Sequence, residues 1–426
     1  MYPYFQIDSD ILKIAEAAQE DAKPYLEKIE KVQQYNQEKM LAAFSYAGVS
    51  ESHFVPTTGY GYGDRGREVL DKVFAYAMGA EEALVRHNFV SGTHTLTVAL
   101  FGILRPGDKM LCVTGTPYDT LHGVIGLSGE SSGSLKEFGI GYEEVPLSES
   151  GMPDYDKIAE TVNDSYKMVY IQRSRGYSLR PSLTIADIGS IIDIVRNKAP
   201  KVMIMVDNCY GEFAEENEPL VCGADLIAGS LIKNPGGGIA PTGGYIAGKK
   251  EYVQACSYRL TTPGTGSEIG CTLGQNRELF MGAFHAPHVV GEALKTVTFA
   301  SALFSRLGYE VTPRHDEHRA DIIQSILLES PEALVSFCRG IQKGAPIDSF
   351  VTPVPDDMPG YDSKVIMAAG AFTQGGSVEL SADAPLREPY AVWLQGGLNY
   401  HSGRLGVILA AQEMKNDGVL KRESSL

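Results

Sequence analysis

From about His53 to Ala283 short apolar runs alternate with helical patterns, and this alternation constrains the fold more than any other feature of the chain. EALVRH, KMLCV, KMVYIQ, KVMIMVD, DLIAGS and GGYIAG read as buried strands with helices between most of them. Such an order predicts an α/β fold with a mostly parallel sheet covered on both faces by helices. Before it, residues 9–48 carry apolar positions at helical spacing (Ile11, Ile14, Ala17, Ala18, then Ile29, Val32, Tyr35, Met40), interrupted at Pro24. Beyond it, an amphipathic segment over 286–307 leads into GYEVTP, a helix around 330–340, the strand candidates KVIMAAGAF and GSVELSA, and a last helix after His401. The expected organisation is an N-terminal helical arm (1–52), a large domain (53–300) and a smaller C-terminal α+β domain (301–426). The Pro/Asp cluster at 353–363 reads as a surface loop. A chain of 426 residues with 43% hydrophobic content can bury cores for both domains.

A net charge of −16 argues against a nucleic-acid partner and offers no basic patch to an anionic membrane. The N-terminus MYPYFQIDSDILKIAEAAQED has no basic segment followed by an apolar one, and no run approaches the roughly 18 apolar residues of a membrane helix. The six cysteines are widely spaced without a C-x-x-C pair, which fits reduced thiols. A cytoplasmic location is expected.

MIMVDNCYGEF and DLIAGSLIKNPGGG place Asp207 and Lys233 at the ends of two apolar strands. In open α/β sheets both groups would project into the crevice beyond the strand C-termini, where ligands bind. A lysine and a carboxylate so placed suit pyridoxal 5'-phosphate (PLP). A Schiff-base lysine needs a dry pocket that lowers its pKa, and the pyridinium nitrogen needs a carboxylate so that the ring can draw electrons. The phosphate would sit at a helix N-terminus, and Ser91-Gly92-Thr93 opens such a helix after the strand EALVRHNFV. Tyr118, in the loop TGTPYDTLHG, is the candidate to lie on a planar ring, and Ser230 is a second phosphate donor. Each has a plainer reading: an ordinary N-cap for SGT, a loop tyrosine, and a strand-end lysine pointing to water, as is expected of Lys249 and Lys250. The small residues Ala228, Gly229 and Ser230 before Lys233, and the PGGG after it, favour the cofactor. Gly61-x-Gly63-x-x-Gly66 matches a dinucleotide fingerprint, but the polar SESHFVPTT before it supplies no buried strand. His315 and His318 with Asp316, Glu317 and Asp321 read as a solvated turn, and His285 and His288 as a linking segment; no metal site is expected.

The order SGTH, PYDT, VDNCYGEF, GSLIKNPGGG resembles the fold type I PLP enzymes of the cystathionine β-lyase and methionine γ-lyase family, from about Tyr60 onward. GYGYGDRGRE, QRSRGYSLRPSLTI, PTGGYIAG, TPGTGSEIG and REPYAVWLQGGLNYH resemble its bacterial branch of carbon–sulfur lyases linked with aluminium resistance. The resemblance implies a PLP-dependent transferase-like fold and a homotetramer of dimers with shared active sites. It implies phosphate binding by Ser91, Gly92, Thr93 and Ser230, ring stacking by Tyr118, nitrogen pairing by Asp207 and a Schiff base on Lys233. Departures are equally specific. Ile232 stands where the family has a hydroxyl residue. Tyr60 or Tyr62 with Arg65 or Arg67 must replace the family's Tyr-x-Arg that reaches the neighbouring subunit's phosphate, and Tyr62 with Arg67 is the expected pair. QRSRGYS makes Arg173 and Arg175 candidates for the ring hydroxyl or the substrate carboxylate, and Arg404 is a candidate carboxylate clamp or a solvent-facing helical arginine. The implied chemistry is β- or γ-elimination from a sulfur-containing amino acid, with the Lys233 amine taking the Cα proton, to a thiol, ammonia and a 2-oxo acid. Aminotransferase or aldolase chemistry, or PLP binding without turnover, are the alternatives.

Overall fold

The computed structural model describes residues 3–128, 132–358 and 363–421. Its chain packs into two units, one of residues 35–286 and one of residues 1–34 with 287–426. These divisions fall inside two long helices, α1 (Ser9–Ala47) and α8 (Asn276–Arg306), rather than at the expected 52/53 and 300/301. Helix α1 runs unbroken for 39 residues, so Pro24 does not interrupt it. A proline in a helix removes one backbone donor. Here Ile11, Ala15, Ala18 and Ala22, spaced four, three and four apart, bury one face in the core of the smaller unit and hold the helix together.

The larger unit contains α2 (Arg65–Met78), β1 (Glu82–Arg86), α3 (Gly92–Ile103), β2 (Lys109–Cys112), α4 (Asp119–Ile125), β3 (Gly141–Glu144), α5 (Tyr155–Thr161), β4 (Met168–Gln172), α6 (Ile185–Lys198), β5 (Met203–Asp207), β6 (Leu226–Ser230), β7 (Gly244–Gly248) and α7 (Lys250–Leu260). Its seven strands are ordered β1-β7-β6-β5-β4-β2-β3. β3, β2, β4, β5 and β6 pair in parallel, whereas β7 is antiparallel to both β6 and β1. Six strands therefore share one direction, and the C-terminal ends of β1, β2, β4, β5 and β6 lie along a single edge. No strand precedes Gly61 among the described residues. The six expected strands are present because strands buried on both faces are continuous apolar runs. β3 was not foreseen: its GYEE sequence forms a half-exposed sheet edge and has no apolar run.

The smaller unit adds β8 (Glu310–Thr312), β9 (Ile323–Leu327), α9 (Pro331–Lys343), β10 (Val365–Ala368), β11 (Ser381–Pro385), β12 (Ala391–Gln395) and α10 (Tyr400–Asn416). Its sheet, ordered β10-β11-β12-β9-β8, is antiparallel throughout and packs Phe304, Phe337, Ile341, Val407 and Ile408 into its core. The expected strand GSVELSA begins only at Ser381. Just before it, the Glu379 carboxylate accepts the backbone N–H groups of Phe372 and Thr373 at 2.9 and 2.8 Å, a loop-bracing role. Of the 353–363 loop, residues 359–362 lie outside the described residues, and Asp356 bridges to Val365. In the His315 turn, Arg314 pairs with Asp316 at 3.1 Å, whereas Asp321 is buried and accepts from the Ile323 N–H. Among the described residues no group of three His, Cys, Asp or Glu could hold a metal ion, and no helix is long and apolar enough to cross a membrane.

Candidate active site

Asp207 ends β5 in register with Gln172 of β4 and Ala228 of β6, and Ser230 ends β6. Ser91 caps α3: its Oγ accepts the His94 N–H at 3.0 Å, which leaves the hydroxyl hydrogen free to serve an anion. The convergence of these elements can be measured from Gly92. A Cβ built there would lie 3.3 Å from Ser230 Cβ, 3.6 Å from Cys209 Sγ and 3.9 Å from Lys233 Nζ. A side chain at Gly92 would therefore fill the space between the α3 N-terminus and the lysine. Ser230 is 1% exposed, and its Oγ has no hydrogen-bond partner. Buried hydroxyls are rarely left so. An unsatisfied donor facing the dipole end of α3 is what a phosphate group requires. Thr93 is half-buried, its hydroxyl 2.7 Å from that of Thr120.

Asp207 accepts the Cys209 N–H at 3.1 Å and the Tyr170 hydroxyl at 3.3 Å. Burial raises its pKa against the opposing charge of Lys233. Lys233, half-buried after β6, carries its Nζ 4.0 Å from the centroid of the Tyr210 ring. Its amine is not pushed down as the sequence suggested. Desolvation opposes the charge, but Cys209, Tyr210, Asp207 and Glu212 together raise the pKa above its ordinary value. Tyr118 is set at the same sheet edge by its N–H, which donates to Gln172 Oε1 at 2.7 Å; its ring meets that of Tyr177 edge-on at 5.7 Å.

Several expected roles change. Arg67 is 1% exposed and donates to the carbonyls of Gly61 (2.9 Å), Gly270 (2.7 Å) and Glu268 (3.2 Å), tying two loops together. A guanidinium so committed cannot reach outward; Arg65 is the exposed one, near the exposed Tyr60 and Tyr62, whose rings stack at 5.5 Å. Arg173 is wholly buried against Glu215 (2.8 Å), Glu218 (3.5 Å) and Asn208 (2.8 Å), so it is a bracing cation rather than a carboxylate clamp. Gly211 makes room for it, since a Cβ there would lie 2.5 Å from Arg173 Cδ. Arg175 is buried, with Nε 3.4 Å from Ser182 Oγ. Arg404, on α10 of the smaller unit, lies 4.9 Å over the Phe299 ring. Glu212, inside the segment that pointed to Asp207, was missed; its signal was a lone acid between Gly211 and Phe213 in an otherwise buried run. A separate cavity of about 440 Å³, lined in part by Glu68, Asp71, Glu82 and Lys250, includes none of these groups. There Asp71 pairs with Arg86 and Glu82 with Lys250, each at 2.7 Å.

A family model described as methionine gamma-lyase matches residues 11–415. The chain is 50% identical to the structure of a carbon-sulfur lyase involved in aluminum resistance from Clostridium novyi, with a TM-score of 0.92 over 96% of each chain. It is 49% identical to an uncharacterized Bacillus subtilis protein, YnbB, over 87% of this chain and 89% of that one. A methionine gamma lyase from Micromonospora echinospora, 18% identical over 81% of this chain and 86% of its own, shares the fold with a TM-score of 0.54.

Proposed function

Because this chain belongs to the methionine gamma-lyase family, a family of PLP-dependent enzymes, we propose that it is a carbon–sulfur lyase that eliminates a thiol from a sulfur-containing amino acid, leaving ammonia and a 2-oxo acid. The observation that carries this reading is the unpartnered, buried Ser230 Oγ beside Gly92, a few ångströms from a lysine amine that faces a buried aspartate. These residues fit the cofactor: Ser91, Gly92, Thr93 and Ser230 for the phosphate, Asp207 for the ring nitrogen, Tyr118 for the ring face and Lys233 for the aldehyde carbon. When bound, PLP supplies an electron sink for the bond breaking at the substrate Cα. Lys233 then serves as the base that takes the Cα proton. It must be neutral to do so, and Asp207, the residue that would hold the ring nitrogen, is one of the groups whose charge favours the ammonium. Buried Tyr170 and Cys209 keep the Asp207 carboxylate oriented and away from water.

Incubation with L-cystathionine and L-methionine tests the reading. β-Elimination of cystathionine releases homocysteine and pyruvate, and γ-elimination releases cysteine and 2-oxobutyrate, each with one ammonia. Equal amounts of thiol and 2-oxo acid are the expected result; pyridoxamine formation without thiol would instead place the protein among transaminating enzymes. Ser230→Ala is expected to weaken PLP binding about tenfold to a hundredfold, the worth of one hydrogen bond to a charged group. Titration of the cofactor-free protein checks this, and a change below about twofold would remove Ser230 from the phosphate site.

A further inference from the structure

Glu212 is wholly buried, yet the chemistry above does not use it. Its Oε1 accepts the Tyr245 hydroxyl at 2.9 Å, and its Oε2 has no hydrogen-bond partner. The space it occupies is built for it: a Cβ at Gly229 would lie 2.3 Å from Glu212 Oε1 and 2.6 Å from Tyr245 Cε1. Gly229 directly precedes Ser230 in β6 and so faces the opposite side of the sheet, where the strand gives up a side chain to admit this acid. The turn that carries Glu212 is also pinned to the lysine. Asn234, which follows Lys233, donates its Nδ2 to the carbonyls of both Tyr210 and Glu212 at 2.9 Å, and the Tyr210 ring packs on the lysine amine.

We propose that Glu212 is a positioning residue for Lys233, a buried acid that stays neutral at physiological pH and so limits the negative charge around the lysine amine. The inference rests on Lys233 being the cofactor-bearing amine. A buried carboxylate with one oxygen lacking a donor is costly, and a neutral carboxyl is far less so. The groups around it point the same way. Cys209 acts on it from the turn after β5 and Glu218 from the loop between β5 and β6, Tyr245 from β7, and Lys233 and Asn234 from the segment after β6. Of the other cations at this turn, Arg173 is taken up by Glu215, Glu218 and Asn208, and Lys39 donates to the Glu216 carbonyl. Burial, with the neighbouring Glu218, raises the Glu212 pKa to about 8 against the pull of a backbone hydrogen bond, Tyr245 and Lys233. Below that pH Glu212 is neutral. Above it, its carboxylate joins Asp207 in holding Lys233 as an ammonium, the form that cannot take a proton.

Isotope-edited infrared spectroscopy of the full-length protein as purified tests the first half. A protonated-carboxyl band should disappear on raising the pH with a midpoint near 8, be absent from Glu212→Gln, and move to higher pH in Tyr245→Phe, which removes a hydrogen bond that lowers the Glu212 pKa. The second half is read on the same chain stripped of cofactor, from the pH dependence of Lys233 acylation. Glu212→Gln keeps the Tyr245 acceptor but cannot ionise, so the midpoint should fall by about one pH unit relative to the wild type, with the melting temperature unchanged. A Glu212 already ionised at pH 6 in the wild type, or identical Lys233 titrations in wild type and Glu212→Gln, would overturn the proposal. Because neither measurement needs bound PLP, a failure of the cofactor reading would show separately, as an absence of PLP uptake.

Discussion

Lys233→Ala is expected to lower kcat/KM by at least about a thousandfold, since positioned general bases alone supply roughly 10² to 10⁴ in rate and the proposed role of this amine includes anchoring the cofactor. The site offers no substitute. Lys249 and Lys250 are engaged at the far end of β7, with Asp225 and Glu82 respectively, each at 2.7 Å. Removing the Lys233 charge leaves Asp207 without its opposing cation, but burial already raises the Asp207 pKa, so that carboxyl can take up a proton rather than unfold the sheet. The loss should therefore be catalytic, with the circular dichroism spectrum and melting temperature close to those of the wild type. Lys233→Arg separates charge from chemistry. It keeps a cation beside Tyr210, but a guanidinium neither forms the covalent link nor loses its proton, so it should be as inactive as the alanine variant. Turnover by Lys233→Arg at more than about a tenth of the wild-type rate would show that the lysine acts only as a charge.

Arg173→Ala is expected to destabilise the larger unit by about 3–5 kcal/mol, the cost of breaking a buried ion pair from one side. The guanidinium is 0% exposed; Glu218, at 1%, is almost as buried, and Glu215 is at 13%. Without Arg173 both acids face an uncompensated interior. The network extends further. Asn208 accepts from Arg173 and donates to Glu218 at 2.9 Å, while Glu215 also accepts the Ile185 N–H at the start of α6. Urea denaturation of the wild type and variant measures the effect, with activity followed in parallel. A variant with unchanged denaturation midpoint and a KM raised tenfold or more would restore Arg173 to the role of a carboxylate clamp.

These two residues mark where the sequence was legible and where it was not. Asp207, Ser230 and Lys233 could be placed because each follows a run that can only be a buried strand, and the parallel sheet carries strand ends to one edge. Arg173 also follows such a strand, yet its partners Glu215 and Glu218 lie 42 and 45 residues away and meet it only through the fold. An arginine's type indicates that it will find anions; it does not say whether they belong to substrate or protein. Arg65 and Arg67 differ by two positions on α2, and only the turn of that helix puts one outside and the other against three carbonyls. In the smaller unit, IQSIL and AVWLQ form β9 and β12 and were not foreseen; in β9 the polar Gln324 and Ser325 interrupt the apolar run that marks the strands of the larger sheet. Pro24 misled for the opposite reason: a strong local signal was overridden by the packing of Ala18 and Ala22.

Borohydride reduction of the wild-type protein loaded with PLP, followed by peptide mapping, tests the central claim most directly. A single phosphopyridoxyl group on the peptide containing Lys233, with loss of the visible absorption band, is the predicted result. A protein that takes up no PLP, or one labelled at Lys249, Lys250 or another lysine while Lys233 stays unmodified, would contradict it.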